Sequence, residues 1–239
     1  MLKDLLNRVL ELQNPTPLEL GGKLYTTKSV VPVKAPVAET LHVATLTGLV
    51  DYLNDNVDKL DLPNTIIHIK DESTVRVVSA LYGDFRQRET LLVAEADLLQ
   101  MQFGSWIDSE RFNIFMQACF LPDEATHRAE ILRIIGNIQQ GATMNVLDDG
   151  VSQETVVKTG IARVGNATIP NPVTLRPYRT FNEVEQPTSQ FVFRMQEGPK
   201  CMLVEADGGA WRNVARKNVK NYLEFELAQL GEDAPRIIA

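Results

Sequence analysis

Along this chain the apolar residues change period several times, and the order of those changes leaves few fold classes open. Leu2, Leu5, Leu6, Val9 and Leu12 fall at helical spacing. Pro15, Pro17 and the pair Gly21-Gly22 then interrupt the helix. Residues 23–40 are rich in Val, Thr and Pro, with Pro32 and Pro36 among them, and such a segment prefers extended backbone. Residues 1–40 therefore read as a helix followed by an extended arm, and residues 41–239 as a single domain. An arm of this kind buries itself only against another subunit or the far side of its own domain.

From His42 the spacing returns to three and four. Val43, Leu46, Leu49, Val50, Leu53 and Val57 make one stripe, with Thr40 available as a cap and Pro63-Asn64 ending the connection. Strand signals follow over residues 65–70, 74–82 and 90–96, predicting an antiparallel meander or a hairpin protruding near 64–97. Ser109 is placed to cap a helix carrying Phe112, Phe115, Met116, Cys119 and Phe120 on one face. Beyond Pro122-Asp123 a second helix over 124–140 turns Ile131, Leu132, Ile134, Ile135 and Ile138 inward. Residues 141–206 are β-like again, but five prolines between 170 and 199 predict short or edge strands. Asp207-Gly208-Gly209 opens a last helix over about 210–230, with Ala215, Val219, Tyr222, Leu223, Leu227 and Leu230 on its apolar face. Strands and helices come in runs without regular βαβ alternation. The predicted class is α+β, with mixed, mostly antiparallel sheets.

Composition narrows the function. The net charge of −7 argues against DNA binding as the main task, because a phosphate backbone attracts clustered Lys and Arg. No apolar run approaches the ~20 residues that span a bilayer, and the charged N-terminal helix does not read as a signal peptide. Cys119 and Cys201 each lie in an apolar segment and read as two buried, reduced thiols. These features predict a reducing cytoplasm and no membrane partner.

The common catalytic signatures are absent. The sequence contains no G-x-x-x-x-G-K-[ST], no G-x-G-x-x-G and no G-x-S-x-G. His42, His68 and His127 show no metal-ligand spacing and read as structural or surface residues. Asp148-Asp149-Gly150 is a turn by composition, with a hard-cation site as the sharper alternative. Two glycines at a helix start can expose N–H groups to an anion, but Asp207 would itself satisfy those donors as an N-cap. No catalytic residue, metal or cofactor is therefore assigned.

What remains are candidate assembly or anion contacts. Arg212, Arg216, Lys217 and Lys220 form a basic strip along the last helix. Such a strip is usually a solvated face, and the sharper readings are an acidic neighbouring subunit or nucleic acid. Arg179 lies in a segment of aromatics, prolines and opposite charges, Pro177 to Pro187, where Glu183 or Glu185 is its expected ion-pair partner. The pairing would fix a loop or make a contact between subunits.

Two resemblances bear on these residues. Asp149-Gly150-Val151-Ser152-Gln153, Ile169-Pro170-Asn171-Pro172-Val173 and the block from Leu175-Arg176-Pro177-Tyr178-Arg179-Thr180-Phe181 to Gln186-Pro187 resemble the YfdQ-type family of phage and prophage proteins. Glu205-Ala206-Asp207-Gly208-Gly209-Ala210-Trp211 and the stretch from His42 to Leu53 extend the likeness over about residues 42–227. The family's function is unknown and it brings no catalytic residues, but it implies a phage origin, and with it the cytoplasm of a bacterial host or a phage-derived particle. The second resemblance is one of element order. An N-terminal arm, a long hairpin, a spine helix and a mixed α+β region are similar to the HK97-type capsid and encapsulin fold. Together they imply a non-enzymatic protein that assembles with itself into a large homo-oligomer, such as an icosahedral shell. The alternatives are an accessory protein binding nucleic acid or a host factor, and a small-ligand-binding protein.

Overall fold

A computed structural model describes residues 2–13, 15–26, 37–83, 86–139, 143–148, 153–159, 162–169, 171–196 and 200–239. The chain divides into two compact units, Met1–Ala38 and Glu39–Ala239. The first contains helix α1 (Leu2–Gln13) and an antiparallel hairpin of β1 (Pro17–Leu20) and β2 (Lys23–Thr26). Gly21 and Gly22 make its turn at φ of 60° and 73°, a left-handed backbone that glycine adopts without steric cost. The extended arm expected over 23–40 falls partly outside the described residues, at 27–36.

The second unit is α+β, and two of its sheets each pack on a core of their own. In the larger sheet, β4 (Ile66–Ile69), β5 (Thr74–Val78) and β6 (Thr90–Glu95) form the antiparallel meander that alternation predicts. Two three-residue strands close the edges in parallel, β3 (Leu41–Val43) beside β6 and β14 (Arg236–Ile238) beside β4. Helices α2 (Leu46–Asp55) and α5 (Trp211–Glu226) pack on this sheet. Leu46, Leu49 and Leu53 meet Ile67, Val75 and Val77 in its core. Each such side chain contributes about 1.5–3 kcal/mol on leaving water.

The expected protruding hairpin near 64–97 is therefore corrected. These strands are the middle of a sheet, and the apolar residues that suggested a hairpin are the ones buried beneath α2 and α5. Helix α2 also starts later than periodicity predicts. Thr45, and not Thr40, caps it by accepting from the Gly48 N–H, while the Thr40 hydroxyl donates to the Thr90 carbonyl. His42 consequently lies in a strand.

The second core lies between a four-stranded sheet and two helices. The sheet order is β11 (Val173–Leu175), β12 (Ser189–Gln196), β13 (Lys200–Glu205), β7 (Ile107–Asp108), antiparallel throughout. Strand β12 alternates cleanly, burying Ser189, Phe191, Phe193 and Met195. Helices α3 (Ser109–Cys119) and α4 (Arg128–Gln139) cover it with Phe112, Met116, Ile131 and Ile135. Asp108, one residue before the expected Ser109, caps α3 through the Arg111 N–H. Cys119 and Cys201 are free thiols in this core.

A third antiparallel sheet is formed by β8 (Thr143–Asp148), β9 (Gln153–Thr159) and β10 (Ala162–Ile169). Among the described residues, no helix is long and apolar enough to cross a membrane.

Candidate functional site

Residues 176–187 join the two cores of the second unit. Apart from the bridge between Pro177 and Phe120, they take no regular secondary structure, and a buried loop must find partners for its own peptide groups. Gln186, 5% exposed, supplies them. Its Oε1 accepts from the N–H of Arg179 at 2.9 Å and of Thr180 at 3.2 Å. Its Nε2 donates to the carbonyl of Phe181 at 2.8 Å. The Thr180 hydroxyl donates to the Glu72 carbonyl in the turn between β4 and β5. With the loop closed, Phe181 and Val184 enter the first core, while the Arg179 side chain turns to the rings of the second.

Arg179 is 6% exposed. Its guanidinium carbon lies 4.3 Å from the ring centre of Trp211 and 5.0 Å from that of Phe191. Nη1 donates to Glu205 Oε1. Burial pulls the guanidinium down to about 10, and the attraction of Glu205 and Asp207 only partly opposes it. Nε and Nη2 are buried without a hydrogen-bond partner, as is the indole Nε1 of Trp211.

The expected pairing of Arg179 with Glu183 or Glu185 is not what forms. Glu183 sits at the N-terminus of α2, accepting from the Leu46 N–H at 2.7 Å and the Thr47 N–H at 3.2 Å. There a carboxylate satisfies donors the helix cannot and faces the positive end of its dipole. Glu185 is exposed and lies 3.6 Å from Arg176, which also reaches Asp123 at 3.2 Å. Glu205 is the partner because β13 sets it opposite Phe191, whose ring Arg179 lies over, a strand placement that local charge spacing does not report.

The basic strip on α5 is largely paired. Arg212 and Arg216 both bind Glu72, at 3.1 and 3.4 Å, and Lys220 lies 3.7 Å from Glu224. Lys217 is exposed. Asp207 accepts from the Gly209 N–H at 3.0 Å but is not the expected cap of α5, whose N-cap is Ala210 without a side-chain hydrogen bond, and Trp211 anchors the helix. His42 and His68 are exposed, and the Nδ1 of His127 accepts from the Thr174 N–H. Asp148 ends β8, while Asp149 and Gly150 lie outside the described residues. No group of three or more His, Cys, Asp or Glu among the described residues is arranged to hold a metal ion.

Beside Arg179 a cleft of about 250 Å³ opens. Its lining combines apolar residues, among them Leu98, Leu99 and Met101, with the buried Arg179 and Trp211, Glu205 and the Glu72–Arg212 pair. Sequence reasoning singled out Arg179 and Arg212 but missed Glu72, Gln186 and Glu205. Only Gln186 carried a local signal, as an amide next to Pro187 in an aromatic-rich loop. Neither a protein family, nor a curated protein, nor a solved structure was found to match this chain.

Proposed function

We propose that this chain is a structural, non-catalytic protein that assembles with copies of itself, with a closed capsid-like shell as the expected form and a phage as its origin. The observation that carries this reading is the apolar face of α1. Leu2 is 75% exposed, Leu5 64% and Leu6 56%, with Val9 in line behind them. A twelve-residue helix is marginal in water on propensity alone, and so is an isolated two-stranded hairpin. Leu18, Leu20 and Tyr25 of that hairpin are exposed as well. A unit of this kind gains stability by covering those residues with a neighbour, and a repeated contact of that type builds closed assemblies.

The nucleic-acid alternative draws less support, because three of the four cations of the α5 strip already face carboxylates. The test is the mass of the purified protein by light scattering after size exclusion, with negative-stain images of the main peak. Large, uniform, closed particles are expected. Removal of residues 1–40 should abolish them while circular dichroism still reports a folded remainder. A monomer or dimer that persists at high concentration would overturn the proposal, as would particles unchanged by the deletion.

A further inference from the structure

The larger sheet of the second unit is covered by helices on one face. Helices α2 and α5 pack on the face that carries Ile67, Ile69, Val75, Val77 and Leu92. Alternation turns the intervening residues to the other face. There the register sets Ile238, His68, Arg76, Val93 and His42 side by side, one from each of the five strands. At about 4.8 Å between strands, the row is about 19 Å long. Arg236, Ile66 and Val78 belong to the row beside it. Ile238 is 51% exposed, and His42, His68 and Arg236 are exposed as well. The outer face of an antiparallel sheet is ordinarily polar, but this one mixes isoleucine and valine with cations. Glu95 is the only acid in the five strands. Neither Arg76 nor Arg236 has an ion-pair partner among the described residues. The surface that fits this face brings negative charge around an apolar centre.

The same chain carries that combination. Among the described residues no large apolar side chain is more exposed than Phe225, at 78%. Residues 224–233 hold Glu224, Glu226, Glu232 and Asp233 and no base. Glu224 lies 3.7 Å from Lys220, and the other three make no ion pair among the described residues. Leu223 and Leu227, two positions before and after Phe225, are buried in the core beneath the helix. Phe225 therefore points away from the sheet, on the far side of α5. The cationic face and the acidic end of α5 thus lie on opposite sides of one unit. A chain cannot join its own two surfaces, whereas a second copy can, and a head-to-tail contact of this kind repeats from copy to copy.

We propose that the open face of the larger sheet receives the acidic, Phe225-bearing end of α5 from a second copy of the chain, with Arg76 and Arg236 against its carboxylates. This contact rests on the reading that the chain assembles with itself, and it is separate from the contact of α1. The test is a disulfide between copies of the full chain. His68→Cys places a thiol on the sheet face and Ala228→Cys places one a turn beyond Phe225, both at exposed positions. The native Cys119 and Cys201 are buried and do not compete. Mixed and oxidised with copper phenanthroline, the two variants should give their heterodimer as the main cross-linked product. His68→Cys mixed with Ala118→Cys, an exposed position on α3, should give only a background yield. Phe225→Ser in the Ala228→Cys chain and Arg236→Glu in the His68→Cys chain alter exposed residues. Each should cut the heterodimer yield about tenfold with circular dichroism unchanged. A yield no greater than that with Ala118→Cys, or one that either substitution leaves unchanged, would overturn the contact. Light scattering on the unsubstituted chain separates the two failures. Large particles with a background yield would remove this contact and leave assembly standing, whereas a monomer would remove both.

Discussion

The guanidinium of Arg179 lies over the indole of Trp211, 4.3 Å from its ring centre, and hands one nitrogen to Glu205. The cation is thus held on its face by a ring and at one edge by a carboxylate. Removing the Glu205 carboxylate alone leaves a buried charge with its rings and the attraction of Asp207. Breaking a fully buried pair costs about 3–5 kcal/mol, and Glu205 is a third exposed, so Glu205→Gln should cost less, about 2–3 kcal/mol in urea unfolding. The double variant Arg179→Met, Glu205→Gln should recover most of that loss, because it removes the charge as well as its partner. A double variant less stable than Glu205→Gln would show that the ion pair contributes more than its desolvation takes away.

Gln186 offers a sharper test of the loop. Gln186→Leu keeps the approximate volume but leaves the buried N–H groups of Arg179 and Thr180 without their acceptor. At about 1–3 kcal/mol for each unsatisfied buried group, a loss of about 2–4 kcal/mol is expected. Amide exchange should rise first across residues 178–186, because the Arg179 and Thr180 N–H groups are both held by that one side chain. Uniform loss of protection over both cores would mean that the loop does not open separately.

How far the fold was legible follows from where its determinants lie. Helical stripes and strand alternation are local, so Leu46, Leu49, Val50 and Leu53, and likewise Ala215, Val219 and Leu223, are buried as their spacing predicts. Val57, at the end of the first stripe, is 67% exposed because Asn56 has already left the helix in a left-handed conformation. Edge strands β3 and β14 pair in parallel with strands distant in sequence, and no local pattern marks such an edge. The same holds at the site. Glu183 caps a helix 137 residues earlier, and Arg212 and Arg216 meet Glu72 in a turn between strands. The residue types were visible in the sequence, whereas the partners are fixed by tertiary packing.

Glu183 and Glu185 should separate clearly in stability, although sequence reasoning grouped them. Glu183 accepts from two N–H groups at the start of α2, whereas Glu185 meets Arg176 from an exposed position. Glu183→Ala should cost about 1–2 kcal/mol, in the range of a lost helix cap. Glu185→Ala should stay within about 0.5 kcal/mol, as for most exposed ion pairs. Equal losses for the two variants in urea unfolding would contradict the helix-cap role of Glu183.

The thiols predict a chemical outcome. Burial pushes Cys201 up to about 12, with Asp108 adding to the effect, and burial also raises Cys119. The thiolate is the reactive form, so both residues should resist a disulfide reagent at pH 8 in the native protein and react only on unfolding. A raised folded value means that the neutral thiol is favoured in the native state. Its contribution to stability is complete below the ordinary value of 9.0 and is lost as pH rises towards the folded value. Cys201→Ala should therefore flatten the alkaline limb of the stability curve above pH 9, apart from the loss due to the smaller side chain. Fast labelling of the native protein at pH 8 would contradict the buried positions of both cysteines.

Gly209 and Arg212 should be coupled. Gly209 has φ of 79°, and a Cβ there would collide with Arg212 Nη1, whereas Gly208 at 60° has open space where its Cβ would lie. Gly208→Ala should cost about 1 kcal/mol, from the left-handed backbone alone. Gly209→Ala carries the same backbone cost and must also displace the guanidinium from the Glu72 carboxylate 3.1 Å away. The pair with Glu72 is half exposed on the arginine side, so the added loss should be modest, about 0.5–1 kcal/mol. In an Arg212→Ala background there is no guanidinium to displace, and Gly209→Ala should fall back to the cost of Gly208→Ala. A double-mutant cycle by urea unfolding measures that difference directly. Strict additivity would mean that Arg212 moves aside freely, and that its contact with Glu72 adds nothing to the stability of the start of α5.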